Sequence, residues 1–154
     1  MLCIWWYCRG IVHYELLPAN ETITAKKYCE QLDRRKASVA KKRPALLNRR
    51  GVVFHHDNAR PHTSLLPRSK LIEFSWDVLP HPPYSPDPAP SDYHLFRSLQ
   101  NSLNGKNFDS LEGVKNHLKE FFAKKTESFW KKGIFDLPHR WAQVSENNGS
   151  YFVQ

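Results

Sequence analysis

Two carboxylates in this chain sit where a pair could do chemistry. Asp57 ends the short apolar run Gly51-Val52-Val53-Phe54 with its polar tip His55-His56-Asp57-Asn58, and Asp92 follows Ser91 at the exit of a loop holding Pro80, Pro82, Pro83, Pro86, Pro88 and Pro90. The first pattern predicts a buried strand, Val52 to His56, with a polar end. The second predicts a helix capped by Ser91, with Asp92 in its first turn. A strand-tip carboxylate and a helix-start carboxylate at one mouth of a sheet form a two-point mount for a divalent cation. Oxygen ligands of that kind suit Mg2+ or Mn2+. Each aspartate also has a plainer reading, as a turn former beside Asn58 and as a residue stabilising a helix dipole. His55, His56 and His62 match no zinc-ligand spacing. Asp87 reads as a loop hydrogen-bonder. His94 either touches substrate or lies on a helix surface, and both readings stay open.

The elements that must hold these residues follow in order. Leu2 to Tyr7 and Ile11 to Leu17 flank an Arg9-Gly10 turn and predict a β-hairpin. Thr22 or Thr24 caps a helix with Tyr28, Leu32 and Val39 on one face, stopped at or before Pro44. Pro61-His62-Thr63 opens a helix that offers Leu65, Leu66, Leu71 and Ile72 for packing. Phe74 to Leu79 alternates as a strand. The proline loop, Pro80 to Pro90, reads as a stiff extended connection. A helix from Asp92 carries Leu95, Phe96, Leu99 and Leu103 to a stop at Gly105. Another starts at Ser110 with Leu111, Val114, Leu118 and Phe121 or Phe122 on one face, and a last helical region, Phe129 to Gln143, places Trp130, Leu137 and Trp141 in the core. This order predicts an α/β fold with a mixed sheet.

Composition narrows the partner class. The 154 residues suffice for one domain, 1–154, with a real core. Lysine and arginine number 23 against 15 acidic residues, a net charge of +8 that favours polyanions. Ten of these cations fall between Lys26 and Arg50, against Glu30 and Asp33 alone. They read either as a Lys/Arg face that contacts DNA phosphates without sequence preference or as an ordinary solvated helix surface. Cys3, Cys8 and Cys29 are odd in number, in no ligand spacing, and read as reduced. No stretch reaches the roughly 18 apolar residues of a membrane span.

Asp57 and Asp92 are separated by 34 residues, with HDNARPH around the first and YSPDPAPSDYHLF around the second. With those motifs the stretch resembles mariner-family DNA transposases, and the likeness extends to MLCIWW, GIVHYELLP, YCEQLDRRKASVAKKRP and the segment from Trp141 to Phe152. It is also similar to the transposase part of histone-lysine methyltransferase–mariner fusion proteins, although nothing here resembles the methyltransferase. The resemblance implies a ribonuclease-H-like mixed sheet with flanking helices. It further implies three catalytic aspartates holding two cations about 3.5–4 Å apart for in-line displacement at phosphorus. Asp57 matches the second aspartate and Asp92 the third.

The first aspartate lies, in the family, on a strand upstream of the segment matching MLCIWW. It has no counterpart here, since Asp33 falls on the basic helix and Asp77 on another strand; the DNA-reading helix-turn-helix pair has none either. The resemblance therefore implies an N-terminally truncated catalytic domain that is nuclear, associated with DNA, open to homodimer formation and inactive alone. A non-catalytic, domesticated DNA-binding or interaction module is the alternative. Tyr7, Pro88 and Val144 replace the usual acidic residue, leucine and cysteine, as in a decayed copy. In the implied fold the first strand is central. A chain without it must close the gap, borrow a strand or fold poorly, because buried unpaired backbone groups cost on the order of 1–3 kcal/mol each. Closure would pair Leu2–Tyr7 directly with Val52–His56, antiparallel.

Overall fold

Leu2–Tyr7 (β1) and Gly10–Leu16 (β2) pair as a hairpin in the computed structural model, which describes residues 1–48, 51–81 and 88–146. Reciprocal bonds close its open end: Leu17 N–H donates to Met1 C=O at 2.7 Å and the Met1 amino group to Leu17 C=O at 3.1 Å. Gly10 has φ +127°, a turn conformation that a side chain would oppose. The chain divides into two compact units, Met1–Trp6 with Ile11–Ser85, and Tyr7–Gly10 with Pro86–Gln154.

In the first unit, Thr24 caps α1 (Ala25–Lys42) by accepting from Lys27 N–H at 3.2 Å. Tyr28, Leu32 and Val39 are buried on it as their spacing predicts. Pro44 does not merely follow the end of α1; it opens α2 (Pro44–Asn48), where its missing N–H costs nothing. Val53–Phe54 (β3) pairs in parallel with Asp77–Val78 (β4), Val53 opposite Asp77 and Phe54 opposite Val78. The two strands are thus shorter than predicted. Val53 is 63% exposed while Phe54 is buried, so the ladder is covered on one side rather than both. Ser75, at φ 55°, turns the chain directly after the preceding helix and delays the second strand to Asp77.

That helix also differs from the prediction. It is two pieces, α3 (Arg60–Thr63) and α4 (Leu65–Glu73), separated by the extended Ser64 at ψ 163°. Pro67 and Leu71, four residues apart, face inward, which turns Leu65 (81% exposed), Leu66 and Ile72 (77%) to solvent. Trp5, Tyr28, Leu32, Phe54, Leu71 and Trp76 form the core, with Cys3, Ile23, Val52 and Phe74 against it. Among the described residues β1 pairs with β2 and β3 with β4, in separate sheets, so β1 and β3 do not form the direct antiparallel pair that closure called for. Their aromatic side chains instead meet on one cation. The Arg35 guanidinium lies 4.3 Å from the Phe54 ring centroid, 5.3 Å from Trp76 and 5.9 Å from Trp5.

The second unit is helical. Ser91–Phe96 is a π-helical segment that continues into α5 (Arg97–Leu103), and Gly105 at φ 73° follows its end. Ser110 caps α6 (Leu111–Lys124), accepting from Gly113 N–H at 3.1 Å. Leu118 and Phe121 are buried on α6, whereas Leu111 is exposed. The last helical region is two helices, α7 (Glu127–Phe135), capped by Thr126, and α8 (Leu137–Glu146), separated at Asp136. Trp130 is buried and Trp141 half-buried. Most of the proline loop, including Asp87, and the NGSYF segment lie outside the described residues. The architecture is mixed α/β, with both a hairpin and a parallel pair.

Candidate functional site

Asp57 follows β3 at the turn into α3, with its side chain 54% exposed. One oxygen, Oδ1, carries the described contacts: it accepts from Ala59 N–H at 3.1 Å and lies 2.5 Å from His62 Nδ1. Those bonds, His62's above all, hold the carboxyl down at about 2, so it is ionised at neutral pH. A carboxylate only accepts, so His62 Nδ1 carries the proton it donates. The His62 ring packs at a tilt against Tyr28 of α1, with centroids 4.1 Å apart, and lies within 10° of parallel to His56 at 5.5 Å.

The other histidines of this unit are committed too. His56 Nδ1 is 2.9 Å from Tyr28 Oη. Burial pushes the Tyr28 hydroxyl well above the usual phenol range and His56 down to about 4. The phenol therefore donates and the neutral imidazole accepts. His55 Nε2 meets His81 Nδ1 at 3.1 Å, and Asn58 donates its side-chain amide to the His81 carbonyl. His55, His56 and His62 are thus spent on three different partners. Among the described residues no group of three His, Cys, Asp or Glu could hold a metal. Asp33 is bound by Lys70, with Nζ 2.7 Å from both carboxylate oxygens.

Asp92 belongs to the second unit. It lies in the first turn of the π-helical segment, exposed, with its N–H donating to Ala89 C=O at 2.9 Å. The cap position is Pro90 rather than Ser91, because Ala89 already accepts from Asp92 and Tyr93 and the helix begins earlier. Single π turns inside α-helices are frequent at functional positions. The flanking side chains anchor the segment. Tyr93 Oη donates to Gly133 C=O at 2.5 Å beneath the Arg140 guanidinium, 4.0 Å from its ring centroid, and Leu95 is fully buried. His94 Nε2 donates to Phe129 C=O at 2.8 Å and its ring packs on Phe129, so it is half-buried between helices. The surface reading of His94 therefore does not describe its place.

Each aspartate thus sits on an anchored turn of its own unit. The Mos1 mariner transposase of Drosophila mauritiana is 45% identical over 152 residues, 98% of this chain and 44% of that protein. A structure of the Mos1 transposase catalytic domain with raltegravir and magnesium superposes with a TM-score of 0.94 at 44% identity, covering 99% of this chain and 76% of that one. The chain belongs to the mariner transposase family. The human histone-lysine N-methyltransferase SETMAR is 42% identical over 99% of the chain and 22% of its own length. The chain thus spans less than half of either curated relative. A Mos1 paired-end complex with the left transposon end matches at a TM-score of 0.93 and 45% identity, over 99% of this chain and 44% of that one. The family model described as "Transposase (partial DDE domain)" matches residues 1–49, short of both aspartates.

The sequence reading missed Tyr28 and His62 as supports of Asp57. Tyr28 looked like one more core position on α1. The signal for His62 was its place five residues after Asp57, on the helix that Pro61 opens.

Proposed function

We propose that residues 1–154 are the part of a mariner transposase catalytic domain that carries its second and third metal-binding aspartates, Asp57 and Asp92, in a ribonuclease-H-like fold. The observation that carries this reading is the match to the Mos1 catalytic domain over 99% of the chain, together with an ionised, half-exposed carboxylate at the end of β3. The donor chemistry fits Mg2+ or Mn2+: hard carboxylate oxygens, with the nearby imidazoles already spent on protein partners. When bound, such cations supply charge stabilisation to the attacking and leaving oxygens of phosphoryl transfer. Asp57 contributes one oxygen held by the protein and one left for a ligand. Asp92 presents its carboxylate from a turn that Tyr93, His94 and Leu95 fix in place.

DNA is the partner this reading requires, held through backbone phosphates, in a nuclear setting, with a second copy of the chain as a further partner. The alternative is a DNA-binding or interaction module without catalysis. Two carboxylates leave a cation poorly held, so the isolated chain should not nick transposon ends in Mg2+. Convergence of the two aspartates is tested by replacing Mg2+ with Fe2+ and letting ascorbate and oxygen generate radicals at the bound ion. Backbone cuts near both residues 57 and 92, competed away by Mg2+, are expected. Cuts near only one, or none, would sink the shared site.

A further inference from the structure

We infer that His62, clamped by Tyr28, is a positioning residue that saturates one oxygen of Asp57 and leaves the other as a single-point ligand; the inference rests on the metal reading above. Four contacts carry it. His62 Nδ1 stands 2.5 Å from Oδ1, and Ala59 N–H donates to the same oxygen at 3.1 Å, so Oδ1 has two donors. The His62 ring lies on Tyr28, 4.1 Å between centroids, and the Tyr28 hydroxyl is bonded to His56 at 2.9 Å, just before Asp57 in sequence. Tyr28 is buried in the core through α1. A rigid helix therefore grips the aspartate from both sides, through the strand end at His56 and through the imidazole at His62. A carboxylate free to rotate offers a cation either oxygen or both. With Oδ1 doubly occupied, approach through Oδ2 alone keeps every existing bond. Groups that orient a metal-ligating side chain in this way are worth about 10- to 100-fold in metal affinity.

The side-chain amide nitrogen of asparagine occupies nearly the place of histidine Nδ1, whereas phenylalanine keeps the ring on Tyr28 and removes the donor. In the whole chain, Mn2+ affinity measured by water-proton relaxation should fall about ten-fold or more in His62→Phe and stay within about three-fold in His62→Asn. His62→Phe should keep the parent's circular dichroism and a cooperative thermal transition, which separates positioning from loss of the fold. Nitrogen-15 NMR of His62 should show a proton on Nδ1, with a signal that changes in Asp57→Ala, where the acceptor is gone. Electron spin echo of bound Mn2+ should show no directly coordinated imidazole nitrogen. Unchanged affinity in His62→Phe, a proton on Nε2 instead of Nδ1, or a coordinated nitrogen would each overturn the inference. If the parent binds no Mn2+, the metal reading falls and with it the ligand role of Oδ2, while the nitrogen-15 pattern still decides whether His62 holds Asp57.

Discussion

Glu15 shows how one side chain can tie two elements together. Its carboxylate accepts from Arg34 Nε and Nη2 at 2.7 and 3.0 Å and from Gln31 Nε2 at 3.1 Å, and His13 Nε2 lies at 3.0 Å. β2 is thereby pinned to α1, and the Arg34 bonds, ahead of the others, hold the carboxyl down at about 2. A depressed acid stabilises the fold above its unfolded value, near 4.5, and loses that contribution as pH falls toward 2. Glu15→Gln should therefore cost about 1–2 kcal/mol at pH 7, since half-exposed Arg34 is partly screened. Urea titrations should show the gap between parent and variant closing between pH 4.5 and pH 2.5; a gap constant with pH would mean the ion pair is not its source. The network was only half legible in the sequence. Alternation placed His13 and Glu15 on the polar side of the strand, but the choice of Arg34 over nine other nearby cations depends on how β2 lies against α1.

At the level of elements, Arg35 is the residue that helical periodicity could not place. It is buried, its Nε and Nη1 have no hydrogen-bond partner among the described residues, and burial pulls its pKa down to about 9, still charged at neutral pH. Three aromatic rings from β1, β3 and the chain before β4 surround it, and cation–π attraction offsets part of the desolvation cost. In the sequence it is one of ten cations in a basic run. Only the meeting of Trp5, Phe54 and Trp76, far apart in the chain, identifies it as core. A buried charge with unpaired donors is often improved by an apolar side chain of similar volume. Arg35→Met should be neutral or stabilising by about 1–3 kcal/mol, whereas Arg35→Ala should lose about 2–4 kcal/mol by opening a cavity. Equilibrium denaturation of both variants decides. Equal, large losses in Met and Ala would show that the charge itself holds β1 and β3 together. Strand lengths were likewise beyond sequence patterning, because Ser75's positive φ and Ser64's break are set by how α4 packs Pro67 and Leu71. Caps at Thr24 and Ser110 were legible because their bonds are local.

For the whole molecule, the net charge of +8 survives every internal ion pair, because pairing cancels charges in equal numbers. Where the surplus lies does not follow from the basic run. At about 100° per residue, Lys26, Lys27, Arg34, Arg35, Lys36, Lys41 and Lys42 spread over most of the circumference of α1 instead of along one stripe. Several are also committed: Lys27 to Glu21, Arg34 to Glu15, Lys36 over the Phe74 ring at 4.3 Å and Lys42 to the Val12 carbonyl at 3.0 Å. A diffuse positive field of this kind attracts phosphate backbones without reading bases. Binding to duplex DNA should accordingly be weak and indifferent to sequence. A footprint of about five phosphates gives a slope of log affinity against log salt of roughly −3 to −6. Lys26→Gln or Lys41→Gln alone should change that slope by at most about one. Fluorescence anisotropy with a transposon-end duplex and a scrambled duplex, over a salt series, measures both quantities. Preference for the end sequence by ten-fold or more, or a slope near zero, would require a base-reading surface that the scattered cations of α1 do not provide.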